Sequence, residues 1–258
     1  MEADPIRRDP EDVKRLFARV SARYDAINRA MCGGLDVLWR GRLAKTATAL
    51  ARENGGGGEK KYLDIACGSG DVCARLLRED PDCRVVGVDF CPEMLALAQE
   101  KCGSAAEFAE ADCRSLPFSE SSFDAATISF GFRNFADRPA CLREIARVLK
   151  TGAPLCVLEV ARAEGPLFET AQKFFMRSAV PLIAKAFGGR REDYEYLAKT
   201  TMEYPRRAEV ENMFAAAGFA GIRTRAMAFG MVAIVSGKNA AGCDAPPTNK
   251  SPRAYGGR

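Results

Sequence analysis

"LDIACGSGD", residues 63–71, carries the first architectural signal of the chain. Leu63 to Ala66 suit a short buried strand, and Gly68 and Gly70 follow within four residues. Glycines at such a place allow a tight turn and a close backbone approach to a ligand. Strand, glycine turn and helix in that order open a nucleoside-type site on a parallel sheet. The spacing Asp64-x-Ala66-x-Gly68-x-Gly70 is not the G-x-G-x-x-G phosphate fingerprint, and it lacks the Gly-Lys-Ser/Thr ending of a phosphate-cradling loop. By itself the turn is a weak signal.

Downstream, strand and helix alternate. "KYLDIA" is the first strand, 70–79 a helix, and "RVVGVD" (84–89) the second strand. Pro92 stands at the start of the next helix, a favoured first-turn position. A weak strand near 106–110, a clear one at 123–129, a helix over 138–150 and a strand at 154–161 continue the series. After a final helix, "AEVENMFAAAGF", two strands fall near 221–237. The pattern predicts an α/β fold, a doubly wound and mainly parallel seven-stranded sheet with helices on both faces.

Upstream, Val13, Leu16, Phe17, Val20, Tyr24 and Ile27 recur at helical spacing, so 11–31 reads as an amphipathic helix, with a second over 37–51. Residues 1–54 are expected to form an N-terminal helical cap, 55–60 a glycine-rich linker, and 61–238 the main domain. Within it, 162–204 breaks the alternation as an apolar helical insertion, a cover for an apolar substrate or plain core packing. The tail, 239–258, reads as disordered.

The composition narrows the function classes. A net charge of +4, with basic residues spread along 258 positions, argues against a nucleic-acid binder. No apolar run approaches the ~20 residues of a membrane span. The segment "MEADPIRRDPEDV" has no apolar core and is not a targeting peptide, so a soluble cytoplasmic protein is expected. Ten cysteines stand singly without a C-x-x-C pair, and there is no histidine. Zinc is therefore not expected, and histidine-based triads or bases are excluded. The cysteines read as reduced, mostly buried thiols.

Two carboxylates strengthen the glycine turn. Asp89 ends the second strand, nineteen residues after Gly70, where a carboxylate accepts both ribose hydroxyls of an adenine nucleoside. Its bland alternative is a cap for the helix at Pro92. Asp112, in "EADCRSLPF" (110–118), follows the third strand, within reach of an adenine edge; otherwise it is an ordinary loop aspartate.

This combination resembles the class I S-adenosylmethionine-dependent methyltransferases, a Rossmann-like fold. Asp64 in the first strand suits their cationic amino-acid portion, whereas a dinucleotide pyrophosphate would be repelled. "YDAINRAMCGGLDVLW" (24–39) is further similar to the signature of the demethylmenaquinone and ubiquinone C-methyltransferase family, most like its menaquinone members. Tyr24, Asp25, Asn28, Gly34 and Trp39 match, while Cys32 replaces a serine and Asp36 a histidine. "ISFGFRNF", "REIARVLKTGAPLCVLEVA" and "YEYLAKTTMEYP" also look like family segments, in the right order across about 13–237.

The resemblance implies S-adenosylmethionine as cofactor and C-methylation of a reduced polyprenyl quinone. It places cofactor contacts at Ser69, Asp89, Asp112 with Cys113, and Ser129, beside Asp64, Gly68 and Gly70 of the turn. Arg133 and Asn134 fall at the quinol, and Tyr24, Asp25, Asn28 and Trp39 are candidate substrate contacts. A polyprenyl quinol, an anionic membrane surface and a second copy of the chain are the expected partners, without nucleic acid or metal. Two other functions share the fold: another small-molecule or lipid methyltransferase, and a non-catalytic adenosine-binding regulator. A nicotinamide-dependent dehydrogenase is disfavoured by the glycine spacing.

Overall fold

The computed structural model describes residues 10–55, 57–163, 165–180 and 191–240. Seven strands form one sheet in the order β3-β2-β1-β4-β5-β7-β6. They are β1 (Lys61–Ile65), β2 (Arg84–Asp89), β3 (Ala106–Glu110), β4 (Ala125–Ser129), β5 (Pro154–Val160), β6 (Phe219–Met227) and β7 (Val232–Asn239). The first five run parallel, and β7 lies antiparallel to both β5 and β6. The predicted doubly wound, mainly parallel architecture is the one observed.

Alternation along the strands fills two cores. Leu63, Ile65, Val86, Val88, Ala126, Ile128, Leu155 and Val157 pack on one face with Leu142 and Ile145 of α5 (Arg138–Val148) and Phe214 of α8 (Arg207–Ala216). Tyr62, Val85, Ala125, Cys156 and Leu158 point the other way, toward α2 (Leu35–Glu53) and α3 (Asp71–Glu79). Helix α4 (Pro92–Cys102) connects β2 to β3.

The expected boundary at 55–60 divides in sequence what the fold packs together. Leu43, Ala44, Ala47 and Ala51 of α2 are buried in the core beneath the sheet, so α2 belongs to the helical layer. The covering element is α1 (Pro10–Met31). It stops because Gly33 and Gly34 take φ of 56° and 79°, left-handed values that glycine adopts at little cost, and Gly34 starts α2.

The insertion is helical where described: α6 (Pro166–Phe174) continues through a π-turn at Phe175–Ala179, and α7 is Arg191–Met202. Gln172 anchors α6, donating to the Ala161 carbonyl at 2.9 Å and accepting from the Ala163 N–H at 3.0 Å. Val180 packs on Ile27 of α1, joining the insertion to the cover. Leu182, Ile183, Phe187 and the tail from 241 lie outside the described residues. Among those described, no helix is long and apolar enough to cross a membrane.

Candidate active site

The sheet changes winding direction between β1 and β4, so their carboxyl ends diverge into a cleft. Ile65, Ala66 and Gly68 form one wall, Ser129, Phe130 and Gly131 the facing one, and Asp89 and Asp112 the third. Its volume, about 890 Å³ with the open mouth included, suits a cofactor. Val13, Phe17 and Tyr24 of α1 close the top. The walls meet tightly: a β-carbon on Gly131 would come within 2.7 Å of Ala66 Cβ.

Asp89 occupies the position expected of it. Its Oδ2 accepts the Gly68 N–H at 2.9 Å and its Oδ1 the Cys91 N–H at 3.0 Å. Burial pushes this carboxyl up to about 6, although the backbone N–H groups of Gly68 and Cys91 favour the charge. The residue therefore ties the glycine turn to β2, holds the Cys91 N–H just before α4 and borders the cleft.

Asp112 and Cys113 line the cleft as well, joined by Arg114. The Arg114 guanidinium grips Asp112 at 2.6 Å and holds that carboxyl below its usual range, while burial raises the Cys113 thiol. Ser129 lines the cleft, and its Oγ is buried with no hydrogen-bond partner among the described residues. Buried hydroxyls are rarely left so.

Three turn residues differ from expectation. Asp64 is 1% exposed and does not reach the cleft. Strand alternation turns it toward α3, where Thr127 donates to it at 2.7 Å and the Cys73 thiol approaches at 3.4 Å. Burial raises it to about 7, so it is no exposed anion awaiting a cationic ligand. Gly70 serves packing: with φ at 80° it starts α3, and an added β-carbon would meet Ala98 Cβ at 3.0 Å. Ser69 faces α1, donating to Asp25 at 2.7 Å.

That contact belongs to a chain of charges. Lys101 of α4 donates to Asp25 at 2.9 Å, to Ser69 at 3.1 Å and to Asp71 at 2.6 Å. Asp71 also accepts from Arg40 at 3.1 Å, and Arg40 pairs with buried Asp36. Helix α1 is thus fastened over the cleft through Asp25. Asp36, at the family's histidine position, forms a structural ion pair. Trp39 sits in the core beside the Phe130 ring, 6.4 Å away, and borders neither cleft, so its expected substrate contact is not formed.

A second, apolar cleft adjoins the first. Leu16, Val20, Ile27 and Met31 of α1 line it with Asn28, Arg133 and Tyr196, and Phe17, Tyr24 and Asn134 are common to both clefts. Burial raises the Tyr24 hydroxyl, against the pull of nearby Arg133. Arg133 is 5% exposed, on a single turn at Phe132–Asn134. Its Nη1 donates to Glu159 at 2.6 Å and to the Phe130 carbonyl at 2.7 Å, while its Nε has no partner among the described residues. Burial opposes its charge, but Glu159 outweighs that and lifts the guanidinium above its ordinary value. Tyr196 donates to Asn134 Oδ1 at 3.3 Å.

Sequence reasoning missed the parts played by Glu159, Tyr196 and Arg114. "VLEVA" contained one signal, an acid inside an otherwise apolar strand. Phe130 also holds φ at 55°, a left-handed backbone in a non-glycine residue at the end of β4.

Comparisons with known proteins identify relatives of the chain and the fold it shares. The demethylmenaquinone methyltransferase of Thermus thermophilus is 38% identical over 222 residues, covering 85% of this chain and 97% of that protein. The Deinococcus radiodurans demethylmenaquinone methyltransferase is 36% identical, covering 85% and 89%. Among solved structures, a SAM-dependent methyltransferase from Thermotoga maritima superposes with a TM-score of 0.55 at 18% identity, covering 87% and 99%, and shows the shared fold. The profile of the ubiE/COQ5 methyltransferase family matches residues 6–239, and the chain belongs to that family.

Proposed function

We propose that this protein methylates a ring carbon of a reduced polyprenyl quinone precursor, with demethylmenaquinol as the favoured acceptor. One observation carries the reading: a nucleoside-sized cleft with a carboxylate opens beside an apolar cleft holding a buried guanidinium, and the two share Tyr24 and Asn134. The names of the relatives point the same way.

The residues of the first cleft fit S-adenosylmethionine. In this reading Asp89 accepts ribose hydroxyls, the Ser129 hydroxyl bonds the ligand, and Asp112 with Cys113 borders the base; that all four line the cleft supports it. When bound, S-adenosylmethionine supplies an electrophilic methyl group on a sulfonium. In the second cleft the apolar side chains of α1 receive the acceptor ring and exclude water. Arg133 stabilises negative charge developing on the acceptor's hydroxyl oxygen, which makes the ring carbon a better nucleophile. It does so as a permanent cation and is not the base. Asn134, held by Tyr196, orients a hydroxyl.

A polyprenyl acceptor resides in a bilayer, and the protein exposes aromatic surface suited to one. Phe168, Phe174, Phe175 and Phe229 are solvent-exposed, Phe168 stacks on Phe229 at 5.8 Å, and exposed Lys173 lies among them. The proposal therefore includes a cytoplasmic protein touching the inner membrane face; flotation only with anionic vesicles is expected, and no flotation with any vesicle contradicts this part. The reaction itself is tested by offering reduced naphthoquinone and benzoquinone precursors with labelled S-adenosylmethionine. A ring-methylated naphthoquinol is expected; methylation of a phenolic oxygen, or of nothing, overturns the reading.

A further inference from the structure

Glu159 lies in β5, beside β4, and is 3% exposed. Its carboxylate is saturated by groups around the proposed acceptor site. Oε2 accepts the Arg133 backbone N–H at 3.0 Å, and Oε1 accepts Arg133 Nη1 at 2.6 Å and the Val160 N–H at 2.9 Å. One side chain thus grips both the backbone and the guanidinium of the same arginine. The Phe130 carbonyl, on a backbone held at φ 55°, takes the second hydrogen bond of Nη1. Two acceptors fix one corner of the guanidinium fork, and the N–H groups they do not occupy are those available to a ligand oxygen.

Arginine on an unrestrained stem has many rotamers, and ordering it during the reaction costs rate. A fork anchored in advance avoids that reorganisation. The pairing also leaves the apolar cleft without an uncompensated buried cation, which would draw in water. We propose that Glu159 is a positioning residue for the methyl transfer, holding the Arg133 guanidinium against the acceptor hydroxyl. This rests on the quinol-methylation reading above. Glu159 touches neither reactant and acts through Arg133 alone.

The experiment compares wild type, Glu159→Gln, Arg133→Ala and the double variant, each assayed for labelled-methyl transfer to reduced demethylmenaquinone. Calorimetric affinity for S-adenosylhomocysteine is measured alongside. In Glu159→Gln, kcat is expected to fall about 100-fold, the scale of losing one preorganised donor, with KM for quinol and cofactor affinity changed less than about threefold. The double variant should be no slower than Arg133→Ala, since both changes disable one device. Losses that multiply, a full-rate Glu159→Gln, or a parallel loss of cofactor affinity would each overturn the proposal. If glutamine is not accommodated, Glu159→Asp keeps the charge while withdrawing it from Nη1; a kcat loss alone is again expected, and full rate again refutes. Wild type that binds S-adenosylhomocysteine yet methylates no quinol defeats the underlying reading, whereas active wild type with an unimpaired Glu159→Gln defeats the role of Glu159 alone.

Discussion

Acidification should loosen the cofactor through Asp89. Burial lifts this carboxyl to about 6 in the free protein, from an ordinary 3.8. A ligand whose ribose hydroxyls donate to the carboxylate favours its ionised form and lowers that value. Protons then compete with the ligand as pH falls through about 6. Kd is therefore expected to rise several-fold, and by no more than about tenfold, from pH 7.5 to pH 5. The stability of the free protein runs the other way. A folded value above the unfolded one contributes stability that is complete below about 4 and lost as pH rises to about 6, some 3 kcal/mol for a shift of about two units. The assay is calorimetric titration with S-adenosylhomocysteine, and the Asp89→Asn variant serves as the control for the titration of Asp64, raised to about 7 nearby. Asp89→Asn should bind weakly with little pH dependence. An affinity in the wild type that stays constant, or tightens, from pH 7.5 to 5 would refute the reasoning.

Ser129→Ala removes a buried hydroxyl that has no partner among the described residues, so the free protein should melt no lower, while Kd for S-adenosylhomocysteine rises about five- to tenfold, the worth of one hydrogen bond. A lowered Tm with unchanged Kd would show the hydroxyl serving the fold. Asp25→Asn loosens the fastening of α1 at Ser69 and Lys101, at a stability cost of about 1 kcal/mol or less because Asp25 and Lys101 are partly exposed. Stopped-flow dissociation of the cofactor should quicken, and the acceleration that salt brings to the wild type should shrink; identical rates and salt response would remove α1 as a barrier. Gly131→Ala drives a methyl to within 2.7 Å of Ala66 Cβ and should lower stability by about 1–3 kcal/mol in denaturant titration. No loss there would mean the two turns separate freely.

Much of the fold was legible because parallel strands announce themselves as short apolar runs. "KYLDIA", "RVVGVD" and "PLCVLEVA" became β1, β2 and β5, and Pro92 starts α4 as expected. Less legible was which face a polar residue would take. Asp64 and Ser69 sit beside the glycine turn, yet one turns under α3 and the other out to Asp25, choices set by strand parity and by a helix forty-four residues upstream. The apolar stripe of α1 was readable as a stripe, but its use as the wall of two clefts depends on contacts distant in sequence. Glu159 escaped because its meaning lies in one long-range partner, Arg133, twenty-six residues away.

"ISFGFRN" shows both sides of this. The strand expected at 123–129 runs into it, and β4 does end at Ser129, beside the first cleft. The left-handed turn at Phe130 then carries the chain to Arg133 and Asn134 at the apolar cleft, a backbone reversal that no side-chain pattern announces.

The central claim is that the two clefts bring a methyl donor to a reduced quinone. Methyl transfer from labelled S-adenosylmethionine to demethylmenaquinone, measured with and without a reductant and repeated with Arg133→Ala, tests it most directly. The account predicts ring-methylated product only with the reduced acceptor, and its near-complete loss in Arg133→Ala while affinity for S-adenosylhomocysteine persists. Equal transfer to the oxidised quinone, or an Arg133→Ala variant as active as the wild type, would contradict it.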